Sequence, residues 1–369
     1  MTGQTRVTFL DYLRVVAIFM VLLVHACENY YFGDDGGLLI QSLSDARWVV
    51  GIDSACRASV PLFVMASAYL LFPVTRPTGE FLRRRFVRVG VPFLVWCCVY
   101  NWWNGGSWGQ MLFNFPLMTG GHLWFVPMLF GVYLLLPLLS PWAERVTKKE
   151  LLWWIALWLV TTTFPFLRRI WGHLYGAPSF GAVPYLYGEC AWNGFGTFHY
   201  VSGFFGYVLL GLYFRKFAPR LDWRRTLSAA VPLAVAGWLV VALFFYLRIS
   251  NYGAAYPVSA PYAAAVDLET SWEFCASGVV LMTIAYFLLL RRCEGRGLFY
   301  SRFVRPLAEA SYGVYLVHIL LLVPVVAELK GRLATPAAIV GAACATFVLS
   351  SCVCLAVRKV PRVGKWLLG

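Results

Sequence analysis

Charge is scarce in this sequence, and negative charge scarcer still. Of 369 residues only 13% are charged, with 17 Asp and Glu against 31 Lys and Arg. A soluble domain of this length needs far more polar surface to cover itself, which excludes the soluble classes. Internal repeats, low-complexity stretches and any soluble appendage are lacking, so 1–369 reads as a single transmembrane domain. None of the ten Cys has the spacing of a zinc or redox motif in a polar setting, and no metal is expected. A cleavable signal peptide is missing too. The first apolar stretch is too long for one, carries Arg14 and His25, and lacks a small-residue cleavage site.

What the chain has instead is apolar mass: 60% hydrophobic residues and 16 Trp. Apolar stretches of about 20 residues recur along it, as spanning helices require. Ten spans are expected, near 8–27, 48–72, 86–103, 122–141, 150–167, 199–217, 227–247, 271–290, 306–327 and 334–357. The fold class is therefore all-α, a polytopic integral membrane helix bundle of about ten helices, with the lipid bilayer as its first partner. A net charge of +14 could suggest nucleic acid, but the basic residues fall in clusters on alternate loops. Counted by side, 23 lie on one and 6 on the other, the positive-inside pattern, so both termini are expected in the cytoplasm. No nucleic-acid partner is expected.

The expected outer loops differ from the inner ones. Residues 28–46 hold Glu28, Asp34, Asp35 and Asp45, and 168–198 form a long loop rich in Gly, Tyr and Trp. Its rings suit an interfacial belt first and a sugar platform second. Cys190 in this loop and Cys27 at an outer helix end leave a disulfide between them open.

Ionisable residues inside a membrane are costly and mark function. The first span, LDYLRVVAIFMVLLVHAC, places Arg14 and His25 near one face and Asp11 within reach of Arg14. In RASVPLFVMASAYL, Arg57 lies deep in the second span just before Pro61, with Asp53 one turn earlier. A structural ion pair and a ligand site both fit it. FLRRRFVRVGVPF sets Arg83, Arg84, Arg85 and Arg88 at the mouth of the third span, a topology signal that also makes a phosphate clamp. GHLWF places His122 and Trp124 at an outer boundary, and ASYGVYLVHILLLVP aligns Ser311, Tyr315 and His318 on one helix face.

Taken in order, these motifs resemble acyltransferase family three, the integral membrane acyltransferases of cell-envelope glycans, over about residues 8–357. The resemblance implies an O-acyltransferase, by family habit an O-acetyltransferase, in a bacterial cytoplasmic membrane. It would carry an acyl group from cytoplasmic acyl-CoA to a hydroxyl of a glycan or lipid-linked sugar. Arg14 and His25 then match the family's essential pair, Arg83 and Arg85 its donor-binding pair, and Ser311, Tyr312 and Tyr315 its Ser-Tyr element. MASAYL departs from the more usual SG pair before the aromatic residue. Some relatives append an SGNH-type esterase domain, for which 358–369 leave no room.

The chemistry agrees with that assignment. A histidine serves as base or acyl carrier near neutral pH. Arg14, Arg57 or Tyr315 could stabilise the oxyanion, and His122, Trp124 and His318 would face the acceptor. Arg83, Arg85, Arg88 and Arg57 form the expected donor-binding set. A transporter or flippase would also bury Arg and His, but the inverted repeats and broken helices typical of that class are not evident.

Overall fold

A computed structural model of the chain describes residues 6–33, 36–109, 121–175, 201–250, 255–262 and 268–369. Those residues are 79% helical with almost no strand, as the composition required. In chain order the helices are α1 (Phe9–Glu28), α2 (Leu43–Cys56), α3 (Ser59–Leu71), α4 (Thr78–Arg85) and α5 (Val91–Trp103). Then come α6 (Phe125–Arg145), α7 (Lys148–Tyr175), α8 (Phe205–Lys216), α9 (Trp223–Ser250) and α10 (Ser277–Leu290). The last three are α11 (Arg305–Leu329), α12 (Thr335–Val357) and α13 (Pro361–Leu368). Two short strands, β1 (Leu38–Ile40) and β2 (Val258–Ala260), pair antiparallel.

Among the described residues, 6 helical segments are long and apolar enough to cross a bilayer. They are Phe9–Glu28, Leu43–Leu71, Gly121–Arg145, Trp223–Leu247, Gly297–Leu329 and Thr335–Val357. The other expected spans meet helices that are shorter or incompletely described. The 86–103 stretch opens with a π-helical turn, Phe86–Gly90, which leaves 13 residues to α5. The 199–217 and 271–290 stretches hold helices of 12 and 14 residues, α8 and α10. The fifth, 150–167, lies within α7, which runs on to Tyr175, so helix continues where a loop was expected from 168. Asp34, Asp35, Cys190 and residues 176–198 lie outside the described residues.

Three irregularities share one cause. Proline has no N–H, so the carbonyl four residues earlier loses its helical partner. Pro61, Pro92 and Pro306 stand four residues after Arg57, Arg88 and Arg302. At Arg57 the helix breaks, separating α2 from α3. Around Arg88 and Arg302 it widens into the π turns Phe86–Gly90 and Tyr300–Val304. Such turns recur at functional sites.

The chain divides into two compact units. The first, Met1–Asn29, Pro73–Pro141 and Cys293–Gly369, has α11 at its centre, packed on α1 and α12, with α12 also touching α1. Helix α13 closes this unit against α5 and α11. The second unit, Tyr30–Phe72 and Trp142–Arg292, contains the β1–β2 pair and the α9–α10 and α3–α8 helix pairs. The α9–α10 crossing is backbone to backbone: a Cβ on Gly237 would stand 2.5 Å from the Gly278 carbonyl oxygen. Small residues let membrane helices approach in this way. Leu134 and Leu138, Leu239 and Leu243, and Val348 form outward apolar stripes on α6, α9 and α12. Large apolar side chains exposed on long apolar helices suit a lipid surround.

Candidate active site

Ionisable side chains gather at both ends of α1. At the Asp11 end, a carboxylate that is 1% exposed gathers three donors. Arg6 Nε reaches it at 2.6 Å, the Tyr300 hydroxyl at 2.6 Å and Arg14 Nη1 at 3.3 Å. Asp11 thereby fixes Arg14, the local pairing expected from the sequence. The hydrogen bond to Asp11, reinforced by Glu309, holds the Arg6 guanidinium well above its usual range against the opposing effect of burial. Arg14 also lies within electrostatic range of Arg88.

The basic run around the π turn divides by burial. Arg83, Arg84 and Arg88 are exposed, and Arg84 pairs with Glu80 at 2.7 Å. Arg85 is half-buried, with its guanidinium 5.7 Å from the Phe81 ring and 6.0 Å from the Tyr133 ring. Its Nε is buried and meets no hydrogen-bond partner among the described residues. A buried charged donor left unmatched is costly, and an anion would satisfy it.

Eleven residues beyond Arg14, about 16 Å along the helix axis, stands His25. Its Nδ1 lies 2.7 Å from Glu28 Oε2, one turn on. Against an ionised carboxylate Nδ1 carries the proton, and Nε2 holds the lone pair. Two further histidines close on this ring. The His25 and His318 centroids are 5.2 Å apart, His122 and His318 5.1 Å, and His25 and His122 6.4 Å. His318 is 0% exposed and His122 8%, and the Nε2 of each lacks a hydrogen-bond partner among the described residues. Three imidazoles on α1, α11 and the 3-10 turn Gly121–Trp124 thus meet at one place.

Neighbouring side chains hold the rings. His318 Nδ1 contacts the Tyr315 carbonyl at 2.6 Å, which makes Nδ1 the donor and Nε2 the lone-pair nitrogen. The Tyr315 hydroxyl donates to the His122 carbonyl at 2.7 Å, and the Tyr100 hydroxyl to the Leu316 carbonyl at 2.9 Å. Ser311 donates to the Ala308 carbonyl of its own helix at 2.8 Å, and the Tyr312 hydroxyl to the Val89 carbonyl at 2.6 Å. Trp124 is half-buried, edge-on to Phe125 with centroids 6.4 Å apart.

Of the expected site residues, His25, His122, His318 and Tyr315 come together, while Arg14 marks the opposite end of α1. Arg57 belongs to the second unit. It bonds Asp53 at 2.5 and 3.0 Å and the Tyr31 hydroxyl at 3.2 Å, lies 3.5 Å from Glu269, and covers the Trp272 ring at 4.6 Å. That is a buried ion pair with its donors engaged inside the protein. The sequence reading missed Glu28 as the partner of His25, although an acid one turn after an intramembrane histidine is a readable signal. It also missed Tyr100, Tyr300 and Arg6. Among the described residues, no group of three or more His, Cys, Asp or Glu has the arrangement of a metal site.

A family model described as an acyltransferase domain, that of acyltransferase family three, matches residues 7–355. No curated protein and no solved structure matches the chain.

Proposed function

The chain belongs to acyltransferase family three, and from that membership and its apolar helices, which make it a membrane acyltransferase, we propose a specific reaction. It moves an acyl group from acyl-CoA to a hydroxyl of a cell-envelope glycan or lipid-linked sugar, with acetyl as the group transferred. The observation that carries this reading is the His25–Glu28 pair beside two histidines whose buried Nε2 atoms meet no hydrogen-bond partner among the described residues.

His25 Nε2 takes the proton of the acceptor hydroxyl as the oxygen attacks the thioester carbonyl. The thiolate leaves as the carbon–sulfur bond breaks, and the proton on His25 passes to it, giving ester and CoA thiol. If His25 acts as nucleophile instead, the acyl group rests on Nε2 before the hydroxyl takes it. Glu28 orients the ring and stabilises the imidazolium, as a carboxylate does for any catalytic histidine. Acceptor hydroxyls donate to His122 and His318 Nε2, with Trp124 beside them. Tyr315 and Ser311 serve as positioning residues. Arg83, Arg85 and Arg88 hold the donor phosphates, and the pantetheine arm runs from Arg14 toward His25. No metal enters this scheme.

Mass spectrometry of the host's envelope glycans with and without the gene tests the reading. A mass difference per sugar names acyl group and acceptor together. Unchanged glycans, with the protein present in the membrane, would overturn the glycan assignment.

A further inference from the structure

Beyond the Arg83–Arg88 run, a second group of arginines converges on one carboxylate in the first unit. Glu309, on the first turns of α11, lies 2.7 Å from Arg6 Nη1 and 3.1 Å from Arg305 Nε. Arg358 donates to its main-chain carbonyl. Arg88 lies within electrostatic range of Glu309, and of Arg85 and Arg358 as well, while Arg14 feels both Arg6 and Arg88. Arg6 and Arg305 thus share one Glu309 oxygen, and Arg6 reaches Asp11 as well. Asp11 is buried and committed to Arg6, Arg14 and Tyr300, whereas the Glu309 side chain is 36% exposed. Two guanidiniums held on one carboxylate oxygen repel each other unless an anion stands between them. Glu309 supplies one negative charge to these two guanidiniums, and Arg358 stands at its main-chain carbonyl.

We propose that Arg6, Arg305 and Arg358 form a phosphate-binding site in which the Glu309 carboxylate holds the place of the ligand. A phosphate oxygen set replaces the single carboxylate oxygen that Arg6 and Arg305 now share, and Glu309 swings toward solvent. Arginine forks suit this exchange, because they bind phosphate and carboxylate with the same geometry. The phosphate is either that of a CoA-type donor or that of an anionic lipid headgroup. Only the first source rests on the acyl-CoA reading above.

The test titrates CoA into full-length wild-type, Glu309→Gln and Arg305→Gln protein in phosphatidylcholine nanodiscs. It then compares thermal midpoints after part of the lipid is replaced by phosphatidylglycerol. For a CoA phosphate, Glu309→Gln binds CoA about fivefold tighter and Arg305→Gln about fivefold weaker. For a lipid phosphate, CoA affinity is unchanged, while phosphatidylglycerol raises the midpoint more in Glu309→Gln than in wild type and less in Arg305→Gln. The opposite signs of the two variants separate a place-holder from a structural clamp. Weakening by both variants, or no response in either arm, overturns the proposal. Wild-type protein that binds no CoA overturns the donor reading alone, and the lipid arm still decides this site.

Discussion

At the scale of single residues, the Glu28 carboxylate decides how His25 presents itself, because its contact at 2.7 Å puts the ring proton on Nδ1 and the lone pair on Nε2. We predict that Glu28→Gln, which keeps the contact but removes the charge, lowers kcat about ten- to a hundredfold with the apparent affinity for acyl-CoA little changed. Steady-state transfer from labelled acyl-CoA measures this, and an undiminished kcat would exclude Glu28 from the catalytic machinery. Arg57 gives a contrasting case. Its guanidinium is surrounded by Asp53, Tyr31, Glu269 and the Trp272 ring. Removing one partner of such a pair strands the other charge, so Asp53→Asn is expected to cost about 3–5 kcal/mol of stability. A thermal midpoint equal to wild type in detergent would show that Arg57 does not need this partner. Intramembrane charge was enough to single out Arg14, His25, Arg57 and His318 in the sequence. Glu28 fell in the expected outer loop, since a helix that ends at residue 28 cannot be separated by sequence from the span ending at 27 that was expected.

At the scale of elements, prolines explain where the expected spans depart from regular helix. The break at Arg57 and the two π turns each place an arginine where a backbone carbonyl has lost its partner. Hydropathy windows average over such features: ten uniform spans were expected, and of the six long apolar segments found among the described residues two run through such an irregularity. The convergence of His122, His318 and His25 was likewise beyond the sequence, because it depends on how α1, α11 and a 3-10 turn pack. Only the shared face of Ser311, Tyr315 and His318 was legible, from their spacing. Within the second unit, the close α9–α10 crossing depends on Gly237. A Val there drives its side chain into the Gly278 carbonyl and is predicted to destabilise by about 1–3 kcal/mol, read as a lowered thermal midpoint. A Gly237→Val protein as stable as wild type would mean that the helices do not approach as described.

At the scale of the whole molecule, a multi-pass membrane protein must meet its acyl donor and its acceptor from defined sides. With the ten spans expected from the sequence, basic residues would favour one side by 23 to 6, and on that basis we predict both termini in the cytoplasm and the segment 176–181 outside. Compartment-sensitive reporters at Gly369 and within that segment read this directly, and a C-terminal reporter found outside would contradict the topology. The central claim is that acyl transfer passes through His25. Its most direct test is transfer of a labelled acyl group from acyl-CoA to acceptor in proteoliposomes holding wild-type or His25→Gln protein, with insertion and CoA binding measured on the same samples. The account predicts a loss on the order of 100- to 10,000-fold in His25→Gln, with insertion and CoA affinity retained. A well-inserted His25→Gln protein that transfers acyl groups at the wild-type rate would contradict it and move the base elsewhere, with His318 the next residue to replace.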